Sequence, residues 1–161
     1  MDGSGTGTAV GQVSIPLQEI QQFLLSATPV AAVAHSHHVD ALSNPTLRAD
    51  PTFQQFSLAE LNELHHQVAA LGSLLRLQMG DAGAARSLGY NLAGFLQNRQ
   101  IGLQLGQRLS PTARNNPSVQ ALMQLTQVSN QQIAANQNVL NRTLAATGAA
   151  APGPLLVRDP S

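Results

Sequence analysis

Apolar residues recur at intervals of three and four along most of this 161-residue chain, and this spacing favours helices over strands. The longest regular run follows Ser57-Leu58-Ala59-Glu60, whose serine and glutamate have the spacing of a capping box and predict a helix start. The run consists of Leu58, Leu61, Leu64, Val68, Leu71, Leu75 and Met79. It predicts a long helix with an apolar stripe that faces a partner.

Prolines and glycines divide the rest of the chain. Pro16 suits a first helical turn, and Thr28-Pro29 predicts that this helix ends and that a second short helix runs to about Leu42. The segments predicted after it are a loop over 43–51, a helix from 57 to 79, a helix over 82–109 and a final helix over 117–146. Because Gly80-Asp81 is a short break, residues 58–109 form either two helices or one bent helix.

The predicted fold is therefore all-α, an elongated bundle of three long helices preceded by two short helices. Residues 14–147 are predicted to form a single helical domain. Residues 1–13, rich in glycine and threonine, are predicted to be a flexible arm, and residues 148–161, with three prolines, an extended Pro/Gly tail. The sequence shows no strand candidate and no internal repeat of fixed period.

Composition excludes several kinds of chemistry. With no cysteine, the chain has no disulfide, thiolate nucleophile or zinc-thiolate site. Only 10% of residues are charged, against about 25% in typical proteins, and 18 glutamines and 10 asparagines supply much of the polarity. The glycines form no phosphate-binding loop, and no serine lies beside a histidine and an acid. We therefore predict a non-enzymatic protein with no catalytic residue and no cofactor.

A net charge of zero conceals two unequal halves. Residues 1–81 contain seven acidic residues and two arginines, whereas residues 82–161 contain six arginines and a single aspartate. The simplest interpretation is that the halves pack together in one bundle; a head-to-tail contact between copies or an anionic partner is the alternative. The arginines keep nucleic acid open as a partner, although they are sparse and lack interleaved aromatic residues.

Histidines are the residues best suited to build a site. They form two clusters, which are His35, His37 and His38 with Asp40, and His65 and His66 beside Glu63. Glu63 and His66 have the Glu-x-x-His spacing of ferritin-like iron sites, but such a site requires further carboxylates. No glutamate follows Glu63, so a di-iron centre is excluded. We predict no metal site; interface histidines that respond to mild acid are the alternative.

The final predicted helix has an unusual seam. From Val119, the spacing of three and four visits Leu122, Thr126, Ser129, Ile133, Asn136, Leu140 and Thr143, so half of the seam is polar. Such a helix suits burial through amide hydrogen bonds or a neutral filament surface, and an ordinary bundle helix is the alternative. The predicted interface residues are Leu122, Leu125, Asn130, Ile133, Gln137 and Leu140, with Gly102 and Gly106, whose small size permits close helix approach.

The segments QALMQLTQ (120–127), NQQIAANQ (130–137) and 140–146 resemble the C-terminal helix of the conjugal transfer TrbJ family, a minor pilin-like component of type IV secretion systems. The resemblance implies an elongated three-helix bundle in the periplasm or pilus. It also implies a role in assembly and in contact with recipient cells.

We therefore expect a structural or assembly component of a type IV secretion or conjugation apparatus, located in the periplasm, cell envelope or pilus. Its expected partners are other protein subunits in a homo- or hetero-oligomer. The alternative is a bacteriophage virion structural or DNA-ejection protein, and a metal-binding helical module is a third possibility. The longest weakly polar stretch covers residues 23–34, short of the roughly 20 residues of a membrane span. Met1-Asp2-Gly3 lacks the basic start of a secretory signal.

Overall fold

A computed structural model describes residues 9–10 and 13–149, and these residues are predominantly helical, which confirms the all-α prediction. The elements in order are β1 (Ala9–Val10), β2 (Val13–Ser14), α1 (Leu17–Leu42), α2 (Pro45–Arg48), α3 (Pro51–Gln78), α4 (Ala84–Gln107), α5 (Pro111–Arg114), α6 (Pro117–Ala135) and α7 (Gln137–Thr147). The two strands form a minimal antiparallel pair inside the predicted arm. The remaining residues of the arm and most of the predicted tail lie outside the described residues.

Two short helices were expected at the start, but the structure has one continuous helix, α1. Pro29 lies inside it, although proline removes a backbone hydrogen bond and crowds the preceding turn. Both Pro29 and Leu25 lie on the exposed side, so water can reach the carbonyl that loses its donor. Leu24 and Ala27 remain buried on the opposite side, and their packing keeps the helix continuous.

The predicted capping box at Ser57 is also wrong. Helix α3 begins at Pro51, where the Asp50 carboxylate accepts hydrogen bonds from the backbone N–H of Thr52 (3.0 Å) and Phe53 (3.4 Å). An aspartate followed by a proline is a strong helix start, and it lies seven residues before Ser57. The same kind of start at Asn44-Pro45 places the one-turn helix α2 inside the predicted loop.

Helices α3 and α4 are separate, which resolves the choice between two helices and one. Gly80 has φ +101°, a left-handed conformation. The N–H of Gly80 donates to the Leu77 carbonyl (3.0 Å) and that of Asp81 to the Arg76 carbonyl (3.0 Å), which is the Schellman pattern of a helix end. The final predicted helix is likewise divided, at Asn136, whose side chain donates to the Gln132 carbonyl (2.8 Å) and competes with the helical backbone pattern.

The chain repeats one helical hairpin. Long helices α1 and α3 are joined through the one-turn helix α2, and α4 and α6 are joined in the same way through α5. The two junctions are NPTLRADPTF (44–53) and SPTARNNPSV (110–119). In each of them, two helices begin at a proline that directly follows an N-cap residue, and an arginine occupies the same position between the prolines. Arg48 donates to the carbonyl of Leu42, the last residue of α1. Arg114 donates to the carbonyl of Gln107, the last residue of α4, and to that of Leu109. Each arginine therefore binds the end of the preceding long helix. The expectation of no internal repeat is therefore wrong at these junctions.

The apolar interior consists of two clusters. The turn-end core lies beside the two junctions and contains Ala41, Leu47, Phe53, Phe56, Leu109, Ala113, Val119 and Leu122. The main core is larger and includes Ile20, Phe23, Leu24, Leu74, Leu88, Leu92, Phe95, Ile133, Leu140 and Leu144. Between these two clusters, each of the four long helices places a buried polar side chain, namely His38 on α1, Gln67 on α3, Arg99 on α4 and Asn130 on α6.

Candidate functional site

A layer of buried polar side chains separates the two cores. We call it the polar layer, and it consists of His38 from α1, Glu60, Glu63 and Gln67 from α3, Arg99 from α4 and Asn130 from α6. Their positions follow from heptad spacing on α3, whose inward face runs Phe53, Phe56, Glu60, Glu63, Gln67, Ala70, Leu74 and Leu77. Glu60 and Glu63 are half-buried, and the other residues of this face are buried. The two glutamates therefore lie on the same inward face as the phenylalanines of the turn-end core.

Arg99 is the centre of the layer. Its guanidinium donates to the Glu63 carboxylate at 3.0 Å, to the Thr126 backbone carbonyl at 3.1 Å and to the Asn130 side-chain oxygen. The side chains of Arg99 and Glu63 are 7% and 12% exposed. The ion pair links α3 to α4, and the other two hydrogen bonds of Arg99 link α4 to α6. The ion pair also joins the acidic first half of the chain to the basic second half.

The carboxyl groups of the layer have raised pKa values. Burial, together with the neighbouring Glu63, raises the pKa of Glu60 to about 8, although Arg99 acts in the opposite direction. Burial also raises the pKa of Glu63, against the charge and hydrogen bond of Arg99. Since Arg99 is paired with Glu63, Glu60 is the group that holds a proton at neutral pH.

His38 is neutral and fixed in place. It is 1% exposed, its Nε2 lies 2.7 Å from the Ser57 hydroxyl oxygen, and its ring stacks on Phe56 and contacts Phe53. Burial and the nearby charge of His35 lower the pKa of His38 to about 4. The hydroxyl that the sequence suggested as a helix cap therefore joins α3 to α1.

Two cavities adjoin the glutamates. A cavity of about 30 Å³ touches His38, Glu60, Gln67 and Arg99, and it is large enough for water. Four buried atoms of the layer have no protein partner within the described part of the chain, and these are His38 Nδ1, Gln67 Nε2, Arg99 Nε and Asn130 Nδ2. Water is the usual partner of such groups.

The second cavity, of about 230 Å³, lies between Glu60, Phe56, Leu103 and Met123. Two of the predicted interface glycines border it. A Cβ on Gly102 would lie 3.4 Å from Glu60 Oε2, and a Cβ on Gly106 would lie 3.4 Å from Met123 Cε. These glycines leave room for side chains of the same chain.

The outward side of α3 is apolar. Its large exposed residues are Leu58 (61% exposed), Leu61 (40%), Val68 (50%) and Leu75 (47%), with Met79 (79%) just beyond the helix end. We call Leu58, Leu61, His65, Val68, Gly72 and Leu75 the outer face of α3. The stripe that the sequence predicted to face a partner is only partly outward. Leu58, Leu61, Val68, Leu75 and Met79 are exposed, whereas Leu64 and Leu71 are half-buried and Leu71 packs against the main core.

The other predicted interface residues lie within the bundle of the described chain. Leu122 belongs to the turn-end core, Ile133 and Leu140 to the main core and Asn130 to the polar layer, whereas Leu125 and Gln137 are half-buried. Contact of these residues with another subunit stays a prediction. The polar layer itself was missed, because Glu60 was assigned to a helix cap; its signal was the heptad register that begins at Phe53.

The residues with iron-site spacing point to different partners. Glu63 binds Arg99, and His66 Nδ1 lies 2.9 Å from Asn91 Oδ1, so they do not converge. Among the described residues, no group of three or more histidines, aspartates or glutamates is placed to hold a metal ion. Nor does any described helix combine the length and apolarity that a bilayer span requires.

Comparisons with protein-family models, with curated protein sequences and with solved structures find no match to this chain.

Proposed function

We propose that this protein is a non-enzymatic structural subunit that assembles through the outer face of α3, and that the first partner of this face is a second copy of the chain. The observation that carries the proposal is the exposure of Leu58, Leu61, Val68 and Leu75 on one side of one helix. Contiguous exposed apolar surfaces of this kind mark sites of protein interaction.

The spacing of the face supports a helical partner. Its positions repeat every seven residues, as at Leu58 and His65, Leu61 and Val68, or Val68 and Leu75, and such repeats pack helix against helix. The flanks of the face carry few charges. Arg76 is one of them, and it lies 3.8 Å from Asp81 of its own chain. An identical face can therefore approach without strong repulsion between like charges.

We further propose that the larger assembly is a type IV secretion or conjugation apparatus, in the periplasm, cell envelope or pilus. The support is the resemblance of residues 120–146 to the TrbJ family. The alternative is a virion structural or DNA-ejection protein, which Arg86 and Arg108 favour because both are exposed, Arg86 on α4 and Arg108 at its C-cap. Arg99 is buried and contributes nothing to a surface for DNA.

Sedimentation velocity of the full chain tests the contact. We expect a concentration-dependent dimer that Leu75→Glu weakens at least tenfold, because pairing then buries a carboxylate in each copy. Leu25→Glu is the matched control, since Leu25 is 52% exposed on α1 and Leu75 is 47% exposed on α3. A wild-type chain that stays monomeric at every concentration overturns the proposal, as does equal weakening by both variants.

Purification from the native host tests the larger assembly. Recovery with subunits of a secretion channel supports the conjugation apparatus. Recovery at fixed stoichiometry in purified phage particles instead supports the virion alternative.

A further inference from the structure

We infer that two copies of the chain pair through α3 in antiparallel orientation, about a two-fold axis that passes between His65 and Val68 of each copy. This inference rests on the proposed function and specifies its geometry. Three features of α3 carry it: the symmetry of the spacing, one glycine without a role in its own chain, and the end of the helix.

The spacing of the outer face reads the same in both directions. From Leu58 to Leu75, successive members are separated by three, four, three, four and three residues. A two-fold axis therefore superposes the face on itself when the two helices run in opposite directions, as an isologous contact requires. The resulting layers place Leu58 of one copy against Leu75 of the other, Leu61 against Gly72, and His65 against Val68.

Gly72 is the second feature. Glycine inside a helix is destabilising relative to alanine, so an interior glycine calls for a packing reason. For Gly89, Gly94, Gly102 and Gly106 that reason lies within the chain, since an added Cβ would come within 3.4 Å of another side chain. An added Cβ at Gly72 meets nothing within 4 Å.

The antiparallel layers give Gly72 a role, because they place it opposite the bulky Leu61 of the other copy. Parallel pairing would instead place Gly72 against Gly72 and leave a gap, with His65 against His65 in the layer seven residues earlier. Size complementarity therefore favours the antiparallel arrangement.

The end of α3 sets the length of the contact. The helix ends at Gln78, and Met79 is its C-cap. The symmetric set from Leu58 to Leu75 thus lies wholly inside the helix, whereas Met79 lies beyond its last residue.

Introduced cysteines test the orientation in the full chain, which has no cysteine of its own. We expect that neither Leu58→Cys nor Leu75→Cys forms a disulfide dimer alone, because the 17 residues between these positions separate like cysteines by about 25 Å along the helix. An equimolar mixture of the two variants should form the mixed dimer, since the paired positions then lie within disulfide range. Homodimers from each single variant, or no mixed dimer from a chain that sedimentation shows to associate, overturn the antiparallel arrangement and leave the proposed function standing.

Exchanging the large and the small residue of the layer formed by Leu61 and Gly72 tests which residues face each other across the dimer. Gly72→Leu should fold at least as stably as the wild-type monomer, because its own chain leaves space there, but it should weaken the dimer at least tenfold through collision with Leu61 of the other copy. Adding Leu61→Ala should recover most of that loss. Unchanged association of the single variant, or no recovery in the double variant, overturns the register.

Discussion

The two faces of α3 have the same spacing but opposite relations to solvent. The inward face places Glu60, Glu63 and Gln67 in the middle of the protein, whereas the outward face leaves Leu58, Leu61, Val68 and Leu75 in contact with water. Burying charge costs free energy unless the charge is compensated, and several leucines on one exposed side of a helix leave apolar surface uncovered. The first requires a specific interior arrangement, and the second is the basis of the proposed self-association.

The inward face also shows how a polar layer can be accommodated. Arg99 compensates Glu63, protonation neutralises Glu60, and Ser57 binds His38. Each charge is thus compensated or removed by protonation, as burial requires, and water is the expected partner of the buried polar atoms that have none in the described chain. Layers of this kind can fix the register of a helix against its neighbours, and here the register decides which face of α3 remains outside.

Removing Arg99 should have the largest effect. Arg99→Met keeps an unbranched apolar stem but removes the guanidinium and leaves Glu63 buried without its cation, and breaking a buried pair in this way costs about 3–5 kcal/mol of unfolding free energy. Urea denaturation followed by circular dichroism measures the change. Arg142→Met is the control, because Arg142 and Glu19 are 44% and 52% exposed, and an exposed pair contributes at most about 1 kcal/mol. Equal losses for the two variants would contradict the role of the polar layer.

Adjacent leucines on the two faces should respond differently. Leu74 is fully buried and Leu75 is 47% exposed. Leu74→Ala should lower the unfolding free energy by about 2–5 kcal/mol through loss of core packing. Leu75→Ala should change the unfolding free energy of the monomer by less than about 1 kcal/mol but should weaken self-association. Denaturation at low concentration and sedimentation at high concentration separate these effects, and similar losses of monomer stability would show that the outer face is packed within the chain.

Glu60 should make the stability of the protein depend on pH. Its pKa is raised in the folded protein, from 4.5 to about 8, so its contribution to stability is full below pH 4.5 and is lost as the pH rises through about 8. Glu60→Gln cannot ionise, so the stability difference between variant and wild type should shift in favour of the variant across this range. Comparing the two proteins at each pH cancels the opposite contribution of His38, whose lowered pKa favours folding at higher pH. A difference that does not vary with pH would show that folding does not raise the pKa of Glu60.

Local sequence signals predicted much of the secondary structure. The spacing of apolar residues identified the long helices, and the glycine at position 80 identified the end of α3. The same signals misplaced two boundaries. Pro29 predicts a helix break, but α1 continues through it because neighbouring residues are buried. Ser57 predicts a helix start, but α3 begins earlier, after the N-cap Asp50.

The candidate sites were harder to infer because they depend on which face of a helix is covered. The sequence predicted an apolar stripe on α3 that shares Leu58, Leu61, Val68 and Leu75 with the outer face, but the leucines alone did not show whether its partner lay inside or outside the chain. The polar layer was missed because its members come from four helices. No local pattern brings Arg99 to Glu63 across 36 positions.

From residue types and local spacing alone, the chain is predicted to be helical, to lack thiol chemistry and to carry an apolar stripe on α3. These properties act within a few turns of backbone. The division of α3 into an inward and an outward face depends instead on the packing of α1 and α4 against it, which local spacing does not specify. That packing places two glutamates in the interior and leaves the leucines of the outer face available for another copy.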